Sequence, residues 1–150
     1  MSPSPRRRVL PPLPLAARPD RRARSARPCH TATGGGGRVP ALFMLSRYHR
    51  PSAGAPVPPG AACFARHGYA VLRVDERGTG ASFGAWAHPF SAQSIADAGE
   101  LVDWAVAQPW SNGRVGATGV SYLGTIAHLL AATGRPAVRA VSPKFMATDL

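Results

Sequence analysis

Short apolar runs alternate with segments of helical period along most of the chain. Runs of this kind predict buried β-strands, and the segments between them predict α-helices. The strands are predicted at residues 41–46, 69–74, 114–120 and 137–142, and the helices at residues 61–67, 95–106 and 122–133. Strands that alternate with helices at this spacing need crossover connections, which favour a parallel sheet with helices on both faces. The pattern therefore predicts an α/β fold.

The helix predicted at residues 95–106 has the clearest period. Its apolar side consists of Ile95, Ala98, Leu101, Val102, Ala105 and Val106, and its other side carries Asp97, Glu100 and Asp103. Ser94 is the predicted N-cap, with Asp97 three positions later, and Pro109 marks the end. We expect this helix to cover one face of the sheet.

The positive charge of the chain lies almost entirely in its leading segment. Of the net charge of +11, residues 1–50 hold nearly all, because eleven Arg stand there beside Asp20 as the one acid. Residues 1–38 alternate Pro, Arg and Ala, run into consecutive glycines and lack a helical or strand period, so they cannot bury enough apolar surface to offset their ordering entropy. We divide the chain into a disordered leading segment, residues 1–38, dispensable for folding, and a folded part, residues 39–150.

Composition also bears on cofactors, membranes and location. No apolar run reaches the 18 residues that a membrane-spanning helix needs. Cys29 and Cys63 do not belong to a pattern of metal ligands, so both are expected to be free thiols, and no metal or cofactor is expected. Residues 6–10, Arg-Arg-Arg-Val-Leu, are similar to a twin-arginine export signal, but prolines interrupt the apolar region that follows. We expect a cytoplasmic protein, with export as the alternative and the oligomeric state left open.

The sequence Gly119-Val120-Ser121-Tyr122-Leu123-Gly124 lies where a predicted strand meets a predicted helix. A serine that attacks a carbonyl must project from a tight, strained turn, and small neighbours allow the strand and helix to approach closely enough to form it. The first amides of the helix point toward the reacting group, so the Tyr122 N–H is a candidate oxyanion donor. The alternative is an ordinary turn in which Ser121 only caps the helix.

Several segments together resemble the family of α/β hydrolases that contains cocaine esterase and the X-Pro dipeptidyl-peptidases. Gly-Val-Ser-Tyr-Leu-Gly is similar to that family's nucleophile elbow. Residues 108–116, 68–71 and 75–84 are similar to the segments that precede it. The resemblance covers about residues 39–150 and implies a three-layer α/β-hydrolase fold with a mostly parallel sheet, incomplete here because only its N-terminal half is present.

The resemblance also implies a second oxyanion donor and a substrate class. The family places a Tyr hydroxyl just after an earlier strand, and Tyr48 occupies the matching place; His49 departs from the family's usual Asp or Trp. Ser121 is the implied nucleophile, with the Tyr122 N–H and the Tyr48 hydroxyl holding the oxyanion. The implied substrate is a small ester or an X-Pro amide, and the sequence does not separate the two. Tyr48 as a core or rim aromatic remains the alternative.

A serine nucleophile needs a His and a carboxylate, which follow it along the chain in this fold. His128 lies about two helical turns, roughly 10 Å, beyond the helix start, and Asp149 follows the next strand directly, so neither is assigned to the triad. His67 and His88 precede Ser121 and are expected to be solvated or structural. We expect the triad Asp and His beyond residue 150, and therefore an isolated 150-residue piece that is inactive.

Two other functions remain open from the sequence. One is a nucleic-acid-binding protein that works through its Arg-rich arm. The lack of interleaved aromatic residues in that arm and the nearly neutral body weigh against it, so no nucleic acid is expected as a partner. The other is a hydrolase-like fold that binds without catalysis. Labelling by a fluorophosphonate would separate the serine hydrolase from both.

Overall fold

The computed structural model describes residues 29–31, 37–48 and 59–146. His49 and Asp149 lie outside these ranges. The described strands are β1 (Cys29–Thr31), β2 (Val39–Ser46), β3 (Ala70–Asp75), β4 (Ser111–Val120) and β5 (Val138–Lys144), and the helices are α1 (Pro59–Arg66), α2 (Ala92–Val106) and α3 (Tyr122–Ala132). The four strands and three helices predicted from periodicity are therefore confirmed, with boundaries that shift by up to three residues.

The strands form one sheet in the order β1-β3-β2-β4-β5. β2 pairs in parallel with β3 and β4, and β4 pairs in parallel with β5, whereas β1 is antiparallel to β3. The mostly parallel sheet of the predicted α/β fold is confirmed. Because β2 is central among the parallel strands, the residues that follow β2, β3 and β4 lie side by side at one edge of the sheet.

Helices cover both faces of the sheet, which explains the unbroken apolar runs of β2 and β3. On one face, Leu42 and Val71 pack with Ala61 and Ala65 of α1. On the other, Phe43 packs in the larger core, to which α2 and α3 contribute Val102, Ile126 and Leu130. The three layers of the expected fold are thus present, and they hold the carboxyl ends of the strands in a fixed arrangement.

The leading segment is the first point at which the structure differs from the sequence prediction. Residues 29–31 were assigned to a segment without strands, yet they form β1, with Cys29, His30 and Thr31 opposite Arg73, Leu72 and Val71 of β3. A three-residue edge strand is held by backbone hydrogen bonds to its neighbour and needs no apolar period of its own. Hydrophobic patterning could not reveal it, and the boundary at residue 38 is wrong for these three residues.

The start of α2 also differs. The helix begins at Ala92 with Ser91 as its N-cap, whose Oγ accepts a hydrogen bond from the Ser94 N–H at 3.1 Å, so the predicted cap at Ser94 is wrong. Asp97 was placed on the polar side of this helix, but it is buried. Its carboxylate receives two hydrogen bonds from Arg77, a partner that lies 20 residues earlier and that helical period cannot indicate.

Two truncations of the full-length protein test the role of β1. Removal of residues 1–26 leaves β1 in place, whereas removal of residues 1–36 deletes it. Each lost ladder hydrogen bond contributes about 0.5–1.5 kcal/mol net, so the longer truncation should lower Tm by a few degrees relative to the shorter one. Thermal unfolding of the two proteins measures the difference. Equal Tm values would show that β1 contributes nothing to stability.

Candidate active site

Ser121 occupies a sharp turn between β4 and α3. Its backbone has φ 57° and ψ −121°, a conformation that costs a non-glycine residue about 1–3 kcal/mol. The Ser121 N–H donates to the Lys144 carbonyl oxygen at 2.9 Å, and the Ser121 carbonyl accepts from the Thr125 N–H at 2.9 Å. Ser121 is the N-cap residue of α3, but its exposed side chain makes no capping hydrogen bond.

Two glycines allow the turn to close. A Cβ atom at Gly119 would overlap the Leu123 side chain. A Cβ atom at Gly124 would lie 2.7 Å from the Lys144 carbonyl oxygen, which belongs to the backbone and cannot move aside. β4, α3 and β5 can therefore approach this closely only with glycine at both positions, the role predicted for them from the sequence.

The backbone amide of Tyr122 is the first of α3. The first amides of a helix have no intrahelical acceptor, and they carry the partial positive charge of the helix N-terminus. This places one N–H donor directly beside Ser121 along the chain. The Tyr122 side chain, in contrast, turns inward and is 5% exposed.

Tyr48 follows the carboxyl end of β2, the strand adjacent to β4. Its ring packs edge-on against the Tyr122 ring with centroids 5.9 Å apart. The ring is 55% exposed, so it lies at the rim of the site and not in the core. The Tyr48 ring therefore contacts Tyr122, the residue that follows Ser121 in the chain.

A buried carboxyl group lies behind these residues. Glu76 follows the end of β3 and is 4% exposed. Its Oε2 atom accepts hydrogen bonds from the Tyr122 hydroxyl at 2.7 Å and from Trp86 Nε1 at 3.2 Å. Its Oε1 atom is buried and has no hydrogen-bond partner among the described residues. Sequence reasoning missed Glu76, although an acid directly after a buried strand was a usable signal.

Burial shifts the ionisation of both groups in this pair. Desolvation raises the pKa of Glu76 above its usual value of 4.5, and hydrogen bonds from Tyr122 and Trp86 and the charge of Arg47 oppose the rise only in part. The pKa of Tyr122 is also raised, first by burial and then by its hydrogen bond to Glu76. The phenol therefore remains protonated and donates to the carboxyl group.

Arg47 completes the arrangement around the Tyr122 ring. Its guanidinium carbon lies 4.8 Å from the centroid of Tyr122, 5.2 Å from that of Tyr48 and 5.6 Å from that of Trp86. Cation–π contacts of this kind are worth about 0.5–2 kcal/mol each, depending on solvent exposure. One cation thus links the ends of β2 and α3 and the loop after β3.

The loop after β3 is braced by Asp75 and Arg77. Asp75 is buried; its Oδ2 accepts from the Ala81 N–H at 3.1 Å, and its carbonyl oxygen accepts from the Ser82 hydroxyl at 2.6 Å. The Ser82 hydroxyl therefore stabilises the turn within this loop. Arg77 donates to both carboxylate oxygens of Asp97, from Nε at 2.7 Å and from Nη2 at 2.6 Å. This fork fixes the loop to α2.

None of the histidines whose side chains are described hydrogen bonds to Ser121. His67 Nδ1 lies 2.8 Å from the Cys63 carbonyl oxygen, and His88 Nδ1 lies 3.0 Å from the Pro89 carbonyl oxygen. His128 is exposed on α3, about two turns beyond Ser121. The described part of the chain therefore supplies no general base to Ser121.

Other features of the described residues bear on metals, thiols and membranes. No group of three or more His, Cys, Asp or Glu side chains there could hold a metal ion. Cys63 is a free, exposed thiol, as predicted. Across the same ranges, the helices are too short or too polar to cross a membrane.

Glu76→Gln in the full-length protein should change how stability depends on pH. Because the folded pKa of Glu76 is raised, the folded state binds the carboxyl proton more tightly than the unfolded chain. Stability is then lost as the pH rises from about 4.5 through the folded pKa. A Gln does not titrate, so the Tm of the variant should rise relative to that of the wild type as the pH increases above about 4.5.

Thermal unfolding of the two proteins across this range measures the effect. Glu100→Gln makes the same change on an exposed side chain of α2 and is the control variant. A constant difference between Glu76→Gln and the wild type would contradict the raised pKa.

The chain is similar to several known hydrolases. The chain is 51% identical over 87 residues to a protein of Mycobacterium bovis that is named as a serine esterase. The matched residues are 58% of this chain and 14% of that protein. It is 38% identical over 87 residues to the cocaine esterase of a Rhodococcus species, and the matched residues are 58% of this chain and 15% of that esterase. The chain therefore spans about one seventh of the length of these curated relatives.

A solved structure and the family pattern extend the match beyond those 87 residues. The crystal structure of a CocE/NonD family hydrolase from Staphylococcus aureus matches with a TM-score of 0.66 and 26% identity, over 76% of this chain and 23% of that one. The sequence pattern of the X-Pro dipeptidyl-peptidase family, S15, matches residues 22–150, which is most of the chain and includes every element around Ser121. The chain belongs to this S15 family of X-Pro dipeptidyl-peptidases, with the α/β-hydrolase fold of its CocE/NonD members.

Proposed function

We propose that this chain carries the nucleophile and the oxyanion hole of a serine hydrolase that cleaves small esters or X-Pro amides. The observation that carries the proposal is the strained, exposed Ser121 at the end of a parallel strand, with φ 57° and no capping hydrogen bond from its side chain. A fold tolerates such a conformation where the surrounding contacts over-determine it, and these positions cluster at active sites. The relatives named as esterases favour an ester as the substrate.

In the proposed reaction, Ser121 Oγ loses its proton to a general base and forms a bond to the substrate carbonyl carbon. The electron pair of the carbonyl moves to oxygen, where the Tyr122 N–H and the Tyr48 hydroxyl stabilise the negative charge. Collapse of this intermediate expels the alcohol or amine, which takes up the proton from the base. Water then cleaves the acyl-enzyme by the same route in reverse.

The general base and its carboxylate are proposed to come from outside the described residues. In this fold both follow the nucleophile along the chain, in the order Ser, acid, His. After Ser121 the described part holds His128, which is exposed and about two helical turns away. A serine hydroxyl without a positioned base is a weak nucleophile, so the 150-residue chain alone is proposed to turn over ester at a negligible rate.

Ser121→Ala in the full-length protein should abolish ester hydrolysis and labelling by a fluorophosphonate. Loss of the nucleophile in related chemistry lowers kcat by about six orders of magnitude. Turnover of a nitrophenyl ester and covalent labelling, followed by mass spectrometry, measure the two effects.

Ser82→Ala is the matched control, because Ser82 lies in a neighbouring loop and its hydroxyl bonds to the Asp75 carbonyl oxygen. It should keep both hydrolysis and labelling. Labelling that persists in Ser121→Ala would overturn the nucleophile assignment.

Tyr48→Phe in the full-length protein should lower kcat by roughly 100-fold or more and leave KM nearly unchanged. The substitution removes one hydroxyl that is proposed to act on the oxyanion and not on the bound ester, and loss of one such donor costs about 100- to 1000-fold. Steady-state kinetics separates kcat from KM. Tyr69→Phe is the control variant, because Tyr69 lies directly before β3 and its ring packs against Phe64. Unchanged turnover in Tyr48→Phe would remove Tyr48 from the mechanism.

A further inference from the structure

We infer that Glu76 is a positioning residue for the reaction: its carboxyl group holds the Tyr122 phenol and thereby fixes the peptide that carries the oxyanion amide. The inference rests on the proposed function, because it assigns Glu76 a task only if Ser121 reacts and the Tyr122 N–H receives the developing charge. It concerns a residue that touches neither the substrate nor the reacting atoms.

The first argument is the place of Tyr122 in the chain. Its backbone amide is the candidate oxyanion donor, whereas its hydroxyl lies at the far end of the same side chain. The hydrogen bond from that hydroxyl to Glu76, at 2.7 Å, links residues 46 apart and joins α3 to the loop after β3. Fixing the hydroxyl and the ring plane leaves the Tyr122 backbone little freedom, since a Tyr side chain has only two side-chain torsions to absorb movement.

The second argument is that Glu76 has no comparable alternative position. Both of its hydrogen-bond donors, the Tyr122 hydroxyl and the Trp86 indole, act on Oε2, and Oε1 has no partner among the described residues. A buried carboxyl group that left these donors would carry the full penalty of unsatisfied burial. Glu76 is therefore held in a single position, and its hydrogen bond fixes the Tyr122 hydroxyl relative to it.

The third argument is that the rest of the ring is enclosed. Phe90 stacks on Tyr122 with centroids 4.6 Å apart, and the Arg47 guanidinium lies 4.8 Å from the ring centroid. The Tyr48 ring, which bears the other candidate donor, meets Tyr122 edge-on. A phenol released from Glu76 would therefore disturb both oxyanion donors, because Tyr48 rests on the same ring.

The experiment compares Glu76→Gln, Glu76→Ala, Tyr122→Phe and the double variant Glu76→Ala/Tyr122→Phe in the full-length protein. Ester turnover is measured as kcat and KM, with kcat expressed per active site counted by fluorophosphonate titration. Titration removes any loss that comes only from misfolded protein. Misplacement of catalytic groups by about 1 Å can cost on the order of 100-fold, which sets the scale of the effect.

Glu76→Ala and Tyr122→Phe should each lower kcat by about 10- to 100-fold while KM stays within about threefold. Glu76→Gln keeps an oxygen that accepts from the phenol and should retain kcat within about threefold of wild type. The double variant should lose no more than the worse single variant, because both changes remove one interaction.

A purely structural role predicts a different result. Val102→Ala creates a cavity in the core at α2 and should lower Tm without changing kcat per labelled site. If Glu76→Ala and Tyr122→Phe behave like Val102→Ala, the inference is overturned. Should Glu76→Ala fail to fold, Tyr122→Phe keeps the whole ring and decides the question by itself.

The failure of the inference differs from the failure of the proposed function. If the wild-type protein is not labelled, or if Ser121→Ala is still labelled, the proposed function fails before Glu76 is tested. If labelling depends on Ser121 but kcat per labelled site is unchanged in both variants, only the role of Glu76 is lost.

Discussion

The arrangement of this protein depends on the close approach of three backbones where β4 ends. Gly124 at the start of α3 leaves room for the Lys144 carbonyl of β5 and no more, and that same carbonyl accepts the Ser121 N–H. With β4 and α3 held on either side of it, Ser121 adopts a positive φ, and its side chain is exposed. The backbone strain is therefore a consequence of packing between elements, and the exposed position of the Ser121 hydroxyl results from it.

Around that turn, each neighbouring strand end supplies a different kind of group. β2 leads to a cation and an exposed phenol, Arg47 and Tyr48, whereas β3 leads to the buried acid Glu76. These groups meet on the Tyr122 ring, so one aromatic side chain connects the proposed oxyanion donors to the interior. Further from the turn, the fork between Arg77 and Asp97 fixes the loop that presents Glu76 and Trp86. Parallel topology explains the convergence, because it gathers the carboxyl ends of the strands at one edge.

Periodicity and local motifs predicted most of the fold and the outline of the site. The seven elements of residues 39–146 have strong apolar patterns, and the glycines beside Ser121 mark the turn by their chemistry. The remaining features depend on partners distant in sequence. β1 pairs through its backbone with β3, Asp97 accepts hydrogen bonds from Arg77, and Glu76 accepts a hydrogen bond from a phenol 46 residues later. A pattern within one element contains no information about such partners.

The bond between Ser121 and Lys144 also sets an order of events during synthesis. Lys144 leaves the ribosome after every residue of β4 and α3, so the carbonyl that accepts the Ser121 N–H is the last part of this turn to become available. Until Lys144 is in place, no hydrogen bond from its carbonyl stabilises the positive φ of Ser121. Because domains form from the N-terminus while translation proceeds, β2, β3 and α2 can assemble first, and the strained turn at Ser121 forms only when β5 docks beside β4.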